Sequence, residues 1–585
     1  MKGPALPPVK YATVPEMLEA TARTALGLTF VDAAEREVAM PWAEVYRRAR
    51  QTAAGLQRLG VAPGETVAIL LPTSPGFMDA FFGVLLAGAV PVPLYPPVRL
   101  GRMEEYHRAT ARMLSVSEAV LVLTETRLKL LLGASVEAAR PRFGCRTVEE
   151  VSHGEALPVR AVSPQAPGLI QFSSGSTVAP KPVVLTHAAL MAQVAALEAI
   201  LPPRPGEVPV GVSWLPLYHD MGLIGCLLSA LYYPGNLVLL PPEVFLARPA
   251  LWLRALSRHK GFVSPAPNFA YGLCLKRVKD EELQGVDLSG WKHALNGAEP
   301  VSAETLRRFV SRFAPHGFSA EALRPVYGLS EAALAVTFPP GGRGLRSRSV
   351  DAGVLAREGR VVGGERELVS VGSPVPGFEV AVRDERGHAL PELHVGRVYA
   401  RGPSLMKGYH GDGEATARAL GADGWLDTGD LGFVADGELF LTGRAKDLVI
   451  IRGANHAPQA FEECMQAVDG VRVGCAVALG FTPAGGEDEA LLILAERAGP
   501  AENDGTVEEQ VSAAIVQGTG IRPHTVRLLT PGTLPRTSSG KLRRSDALRQ
   551  FLAGELVAPK RAGPVSLMVE MAKGAWALAR TGREG

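Results

Sequence analysis

Between two apolar, β-branched runs, the stretch Gln171-Phe-Ser-Ser-Gly-Ser-Thr-Val-Ala-Pro-Lys-Pro-Val-Val-Leu-Thr-His187 gathers hydroxyls, a glycine and a lysine. Ser173, Ser174, Ser176 and Thr177, with the amides around Gly175, can donate to anionic oxygens. Gly175 lets the backbone approach closely and Lys181 adds positive charge, which is the chemistry of a phosphate cradle. The spacing is not that of a P-loop, which runs Gly-Lys-Ser/Thr into a helix. Val183 to Leu185 reads as a strand, so the donors would come from a hairpin. An ordinary surface turn has the same composition, and the rest of the chain must decide between the two.

Four further stretches put polar or glycine-bearing punctuation at the ends of apolar runs. Trp214-Leu-Pro-Leu-Tyr-His-Asp-Met-Gly222 sets His219 and Asp220 in apolar surroundings, where a histidine serves either as a ligand or as a satisfied core residue. Asn296-Gly-Ala-Glu-Pro300 and Val326-Tyr-Gly-Leu-Ser-Glu331 each follow a strand-like run. In the second, Tyr327 could stack on a base and Glu331 could hold Mg²⁺; the plainer reading is a turn with an exposed acid. In Gly424-Trp-Leu-Asp-Thr-Gly-Asp430, Asp430 could accept from two ribose hydroxyls, although Asp-Gly turns are common. Pro535-Arg-Thr-Ser-Ser-Gly-Lys-Leu-Arg-Arg544 is a flexible basic loop carrying Lys541, or simply a solvated charge run.

The elements that must position these groups read as an α/β fold. Thr13 to Leu59 reads as helices around one short strand. Glu65 to Pro72 is a buried strand, Ser74 to Gly88 has helical spacing through Phe77, Ala80, Phe81 and Leu85, and Ala89 to Leu94 returns as a strand. That is a βαβ unit, and it implies a parallel sheet with helices on its faces. Ala119 to Leu123, Phe262 to Pro265 and Lys292 to Leu295 are further strands, and ligands in such sheets sit at the carboxyl ends of strands. After about residue 340 the texture changes to Gly- and Arg-rich chain and then to β alternation at Glu379 to Arg383 and Val395 to Arg401. The tail from Pro564 to Ala579 puts Val565, Met568, Ala572, Trp576 and Ala579 on one helical face, to pack on the body, meet a partner or lie on a membrane.

Length and charge narrow the classes. A chain of 585 residues needs two or more domains. A net charge of +2, from 61 basic and 59 acidic residues, gives no field to attract nucleic acid or an anionic membrane. Five scattered cysteines without C-x-x-C spacing argue against a disulfide framework or a zinc site and fit a reducing cytoplasm. The first residues lack the apolar core of a secretory signal. Met221 to Pro242 is long enough to span a bilayer, but Pro234-Gly-Asn236 breaks it, and buried core is the better reading.

Taken in order, Ser-Ser-Gly-Ser-Thr…Pro-Lys181, Tyr327-Gly-Leu-Ser-Glu331, Thr428-Gly-Asp430, Gly443-Arg-Ala-Lys-Asp447 and Ser539-Gly-Lys-Leu-Arg-Arg544 resemble the adenylate-forming superfamily of acyl-CoA synthetases, luciferase and adenylation domains. The match covers nearly the whole chain. Ser213-Trp-Leu-Pro-Leu-Tyr-His-Asp-Met-Gly-Leu223, Pro93-Leu-Tyr-Pro-Pro97 and Arg452-Gly-Ala-Asn-His456 look most like the fatty acyl-AMP ligases, which activate fatty acids as adenylates and pass them to acyl carrier proteins. The resemblance implies a large N-terminal domain of parallel α/β sheets (1–442) with a β subdomain from about 340, and a family insertion at about 338–368. It further implies a hinge at 443–447, a small mobile α+β domain (448–560) and a tail (561–585). ATP and Mg²⁺ are the implied cofactors. Ser173, Ser174, Gly175, Ser176, Thr177 and Lys181 would hold the outer phosphates of ATP, and Gly297, Ala298, Glu299, Tyr327 and Gly328 would frame adenine. Asp430 would bind ribose beside Arg444, Glu331 would ligate Mg²⁺, His219 would line the carboxylate site and Lys446 would be the hinge. Lys541 would reach the α-phosphate. The implied partners are a fatty acid and a carrier protein; the alternatives are an acyl-CoA synthetase using free coenzyme A and a non-catalytic acyl-adenylate-binding scaffold. The sequence departs from the pattern at Pro182, where a glycine is usual, and at Ala454 and Ala457, where Arg and Tyr are frequent.

Overall fold

A computed structural model of the chain describes residues 1–97, 100–155, 157–173, 180–203, 206–465, 468–483, 489–537, 540–559 and 564–581. The expected βαβ unit is present. Thr66–Ile69 is wholly buried. Ser74 then caps the helix Pro75–Leu86 by accepting from the Phe77 N–H, and Pro75 supplies the fixed φ that a first turn needs. That helix is apolar but for Asp79, which pairs with Arg48, and it buries Phe77, Phe81, Phe82 and Leu85. Val90–Pro93 follows, parallel to the first strand. Leu121–Thr124 and Cys145–Thr147 complete a four-stranded parallel sheet, and helix α1 (Thr126–Ala139) joins these two.

A three-stranded antiparallel sheet carries the polar hairpin, with β1 (Pro167–Phe172) against β2 (Pro182–Thr186) and Gly408–Tyr409 on the far side of β2. Thr186 caps helix α2 (His187–Ile200) by accepting from the Ala189 N–H. Residues of α2 enter two different apolar cores, Leu190 and Val194 in one and Ala196 and Leu197 in the other. A seven-stranded sheet runs in the order Leu323–Pro325, His293–Asn296, Val263–Ala266, Val210–Ser213, Asn236–Leu239, Gly27–Val31 and Glu37–Pro41, parallel except for the last pair. Of these strands, Val210–Ser213 is β3 and His293–Asn296 is β4. Glu37–Pro41 corrects the expectation of a single strand in this region: it is an edge strand that buries only Met40, so it has no apolar alternation to betray it.

The β subdomain is an antiparallel sheet of Glu379–Arg383, Gly396–Arg401, β5 (Leu426–Ala435) and β6 (Glu438–Arg444). The Gly- and Arg-rich stretch before it forms a hairpin, Ser347–Val350 with Arg366–Val369, around the helix Ala352–Glu358. Its Arg366 Nε lies 3.6 Å from Glu463 of the small domain.

That small domain is a three-stranded sheet of Val471–Phe481, Ala490–Arg497 and Thr525–Leu529 with helices on both faces. Ala490–Arg497 is its middle strand. Leu491, Ile493 and Ala495 join Phe461, Val511 and Ile515 on one face, while Leu492 and Leu494 join Leu534 and Ala547 on the other. Among the described residues, no core unites residues before 445 with residues of 448–559.

The chain returns to the large domain at its tail. Helix α3 (Pro564–Thr581) packs Leu567, Met571 and Leu578 onto the core beside α1. A Cβ on Gly574 would stand 1.6 Å from the Leu130 carbonyl oxygen, and one on Gly133 would stand 2.1 Å from the Gly574 oxygen. The packed face is not the expected one, since Met568 and Trp576 are 62% and 63% exposed. Glycine, which helical periodicity ignores, lets the two backbones touch and so fixes the contact face. Gly574→Val is therefore expected to lift α3 from α1, raising hydrogen-exchange rates across Leu567 to Leu578 by at least about tenfold while Thr66–Ile69 stays protected. Unchanged exchange in α3 would refute this contact.

Candidate functional site

The polar hairpin closes on itself. Ser173 N–H donates to the Lys181 carbonyl at 2.9 Å, and Lys181 N–H donates to Ser173 Oγ at 3.2 Å. Ser174, Gly175, Ser176 and Thr177 lie outside the described residues. Pro182 opens β2 opposite Phe172, and its carbonyl accepts from the His410 N–H at 2.8 Å. The first residue of a strand is a position where a missing N–H is tolerated, which accounts for proline there. Lys181 Nζ sits 4.4 Å from the centre of the Tyr409 ring, and the Tyr409 hydroxyl donates to Glu331 Oε1 at 2.9 Å. Burial pushes the Glu331 carboxyl up, against the opposing pull of Tyr409 and Arg444.

Gly297, Ala298 and Glu299 leave the end of β4. A Cβ at Gly297 would come within 2.8 Å of Val326 Cγ2 and 2.9 Å of the Val326 oxygen. At Gly328 it would stand 1.7 Å from the Leu334 oxygen, so both glycines are demanded by packing. Ala298 holds a left-handed φ of +69°. Glu299 accepts from the Phe269 N–H.

Register builds the next group. Pairing of β5 with β6 sets Asp430 directly opposite Arg444. Arg444 Nε donates to Asp430 Oδ1 at 3.0 Å, and the Tyr327 hydroxyl donates to Oδ2 at 2.6 Å. Burial and the Asp430 charge push the Tyr327 phenol well up, so it remains a donor. Its hydroxyl is thus engaged with Asp430 while its ring lines the cavities described below.

His219 Nδ1 lies 2.7 Å from Asp220 Oδ1, and the Met221 N–H is shared between that Asp220 oxygen at 2.7 Å and His219 Nδ1 at 3.3 Å. Ser330 Oγ donates to the other Asp220 oxygen at 2.6 Å. Burial alone would raise the Asp220 carboxyl. The His219 contact, the Ser330 hydroxyl and the Lys541 charge outweigh it and hold Asp220 well below the ordinary range. Asp220 and Ser330 were not singled out as site residues in the sequence. An aspartate embedded in an apolar run was the available signal for the first, and nothing marked the second.

Lys541 rides a tight turn of the small domain in which its N–H donates to Thr537 Oγ1 at 3.0 Å and its carbonyl accepts from the Thr537 N–H at 2.8 Å. Its ammonium enters the large domain. Burial lowers its pKa from the ordinary 10.5, while the carboxylates of Asp220, Glu299 and Asp430 pull the other way and Arg444 repels it. Lys446 is also lowered by burial, with Arg444 and Lys181 repelling it.

These groups line two connected spaces. A chamber of about 450 Å³ is bounded by Ser173, Lys181, Asp220, Glu331, Lys446 and Lys541, and continues as an apolar arm past Leu197, Gly225 and Leu237. A larger cleft of about 2200 Å³ separates the two domains and is lined by Glu299, Asp430 and Phe269. Tyr327, Arg444 and Lys541 line both. Met221 lines the chamber and Phe269 the cleft, while Leu215, Leu223 and Ile224 are buried core.

A family model described as AMP-binding enzyme matches residues 18–410. This chain belongs to the AMP-binding enzyme family. Among relatives in that family, a protein of Caulobacter vibrioides provisionally named acyl-CoA synthetase is 38% identical over 93% of this chain and 97% of its own length. Long-chain-fatty-acid–AMP ligase FadD26 of Mycobacterium marinum is 35% identical over 88% of this chain and 91% of its own. A solved structure from studies of fatty acyl-adenylate ligases of E. coli and L. pneumophila superposes with a TM-score of 0.88 at 33% identity, covering 94% of this chain and 99% of that one.

The triad of Arg444 with the buried Tyr327 and Asp430 makes a stability prediction. Asp430→Asn should cost about 1–3 kcal/mol in denaturant unfolding, as loss of a buried charged acceptor does. Tyr327→Phe added to it should cost much less than on its own, because the hydroxyl has already lost its partner. Strictly additive losses would disprove the coupling.

Proposed function

We propose that this chain uses ATP to convert a fatty acid to its acyl-adenylate with release of pyrophosphate, and then transfers the acyl group to the phosphopantetheine thiol of an acyl carrier protein. One observation carries the reading. The Lys541 ammonium meets an apolar arm, a hydroxyl-bearing hairpin and the Tyr327–Asp430–Arg444 group at one point. Those are what an acyl chain, a polyphosphate and a nucleoside need.

The first step needs no general base, because a fatty acid of pKa about 4 to 5 is already ionised near neutral pH. A carboxylate oxygen attacks the α-phosphorus while the bond to the bridging oxygen breaks, and pyrophosphate leaves with the electron pair. The difficulty is one anion approaching another, so fixed positive charge is the main requirement. Lys541 supplies it at the α-phosphate, Lys181 and the 173–177 hydroxyls at the leaving group, and Lys446 and Arg444 beside them. His219, oriented by Asp220, borders the carboxylate site. Gly297 to Glu299, Tyr327 and Gly328 frame the adenine, and Asp430 receives the ribose hydroxyls. Glu331 is a carboxylate on the chamber wall, held by the Tyr409 hydroxyl, which fits a Mg²⁺ bound through one carboxylate and substrate phosphates; that ion would neutralise phosphate charge.

For transfer, rotation of the small domain about 443–447 would withdraw Lys541 and admit a thiol through the interdomain cleft. The acyl-CoA synthetase name of the Caulobacter relative supports a second reading, in which free coenzyme A is the acceptor. ATP and a long-chain acid should yield acyl-AMP that a holo carrier protein discharges and coenzyme A does not; prompt acyl-CoA formation would favour the second reading.

Lys541→Ala should lower acid-dependent pyrophosphate exchange on the order of a hundredfold or more, and near-normal exchange would remove the lysine from the mechanism. Only the protonated amine helps, and its pKa is depressed by burial. The wild-type adenylation rate should therefore decline with rising pH through a value below the ordinary lysine 10.5; a rate that holds up to that value would contradict the burial of a working Lys541.

A further inference from the structure

The apolar arm follows α2 from Val194 past Leu197 to Leu201 and faces Gly211 and Val212 of β3. That is about 10 Å of helix. A tunnel built for one fixed chain length would be walled by packed apolar side chains, but this lining includes the polar side chains of Glu198, Tyr233 and Asn236. Glu198 is at once a wall of the arm and a surface residue, because its carboxylate pairs with the ammonium of Lys10, whose side chain is 44% exposed. Lys10 Nζ also stands 5.3 Å from the centre of the Tyr232 ring and 5.4 Å from that of Tyr233, and its backbone N–H donates to the Tyr232 hydroxyl at 2.8 Å. An ion pair thus joins the wall of the arm to the surface of the protein.

The segment that carries Lys10 is held on both sides of it. Gly3 N–H donates to the Phe378 carbonyl, the Pro4 carbonyl accepts from Gly377, and beyond Lys10 the ring edge of Tyr11 meets Tyr232 at 5.7 Å. Lys10 lies beside Glu198 and Tyr233 as part of a fixed strap, so its side chain can move without the strap leaving.

Resting on the fatty-acid reading above, we propose that Lys10, through Glu198 and Tyr233, is a specificity-determining positioning residue. The ion pair is a polar door at the distal end of the acyl arm, and the preferred substrates are long unbranched acids whose ω end reaches it. An exposed ion pair is a weak latch. Methylenes laid against Tyr232 and Tyr233 lose water and offset its opening, so the door yields only to chains long enough to touch it. Shorter acids end inside the arm and never meet Lys10.

The test is a chain-length profile of pyrophosphate release with octanoate, dodecanoate and octadecanoate for the full chain and for Lys10→Ala, Lys10→Arg and Glu198→Gln. In Lys10→Ala the ratio of kcat/KM for octadecanoate to that for octanoate should rise about fivefold or more, with the change in KM. Lys10→Arg should keep the wild-type ratio, and Glu198→Gln, which keeps the shape and loses the charge, should raise it as Lys10→Ala does. An unchanged or lower ratio in the alanine and glutamine variants, or an equal fall for all acids, would overturn the proposal. Failure of the wild type to release pyrophosphate with any of the acids would instead overturn the fatty-acid reading, before any variant is compared.

Discussion

One domain of this protein keeps a lysine ammonium inside another, and most of the architecture serves that arrangement. Burying a charge is costly unless fixed opposite charge receives it. Lys541 is received by Asp220, Glu299 and Asp430, which come from three separate parts of the large domain. Each acid is itself fixed: Asp220 by His219 and Ser330, Glu299 by a backbone amide and Asp430 by Arg444 and Tyr327. Without Lys541 those three acids would lose the cation that faces them all.

The parts of this arrangement that could be read in the sequence are those encoded by short-range pattern. The βαβ unit is announced by an apolar strand, Ser74-Pro75 and a helix period, all within thirty residues. The glycine turns at Gly297 and Gly328 stand where no side chain fits, so their residue type carries the information directly. Ser330 and Asp220 meet across 110 residues of chain, and nothing local in Leu-Ser-Glu shows which way that serine points. The same holds for Lys446, which the family motif marks as a pivot and which the fold also turns toward the chamber.

Two features explain departures that pattern alone leaves puzzling. Pro182 replaces a glycine without harm to the hairpin because the closing contacts fall on Ser173 and Lys181, one residue inside it. The tail helix turns Met568 and Trp576 outward because Gly133 and Gly574 let backbone meet backbone on another face. Both are cases where an absent group, an N–H or a Cβ, determines the geometry.

The docking of α3 on α1 has a consequence for how the two domains find each other. The small domain is attached to the large one at 443–447 and again, through the segment from Ala553 to Pro564, by the helix that follows. Eleven residues of chain can extend to no more than about 40 Å. On the proposed rotation Lys541 would therefore travel on a closed ring of chain rather than on a single tether. The shorter that ring, the higher the effective concentration of the lysine at the site it has left, and the sooner it returns.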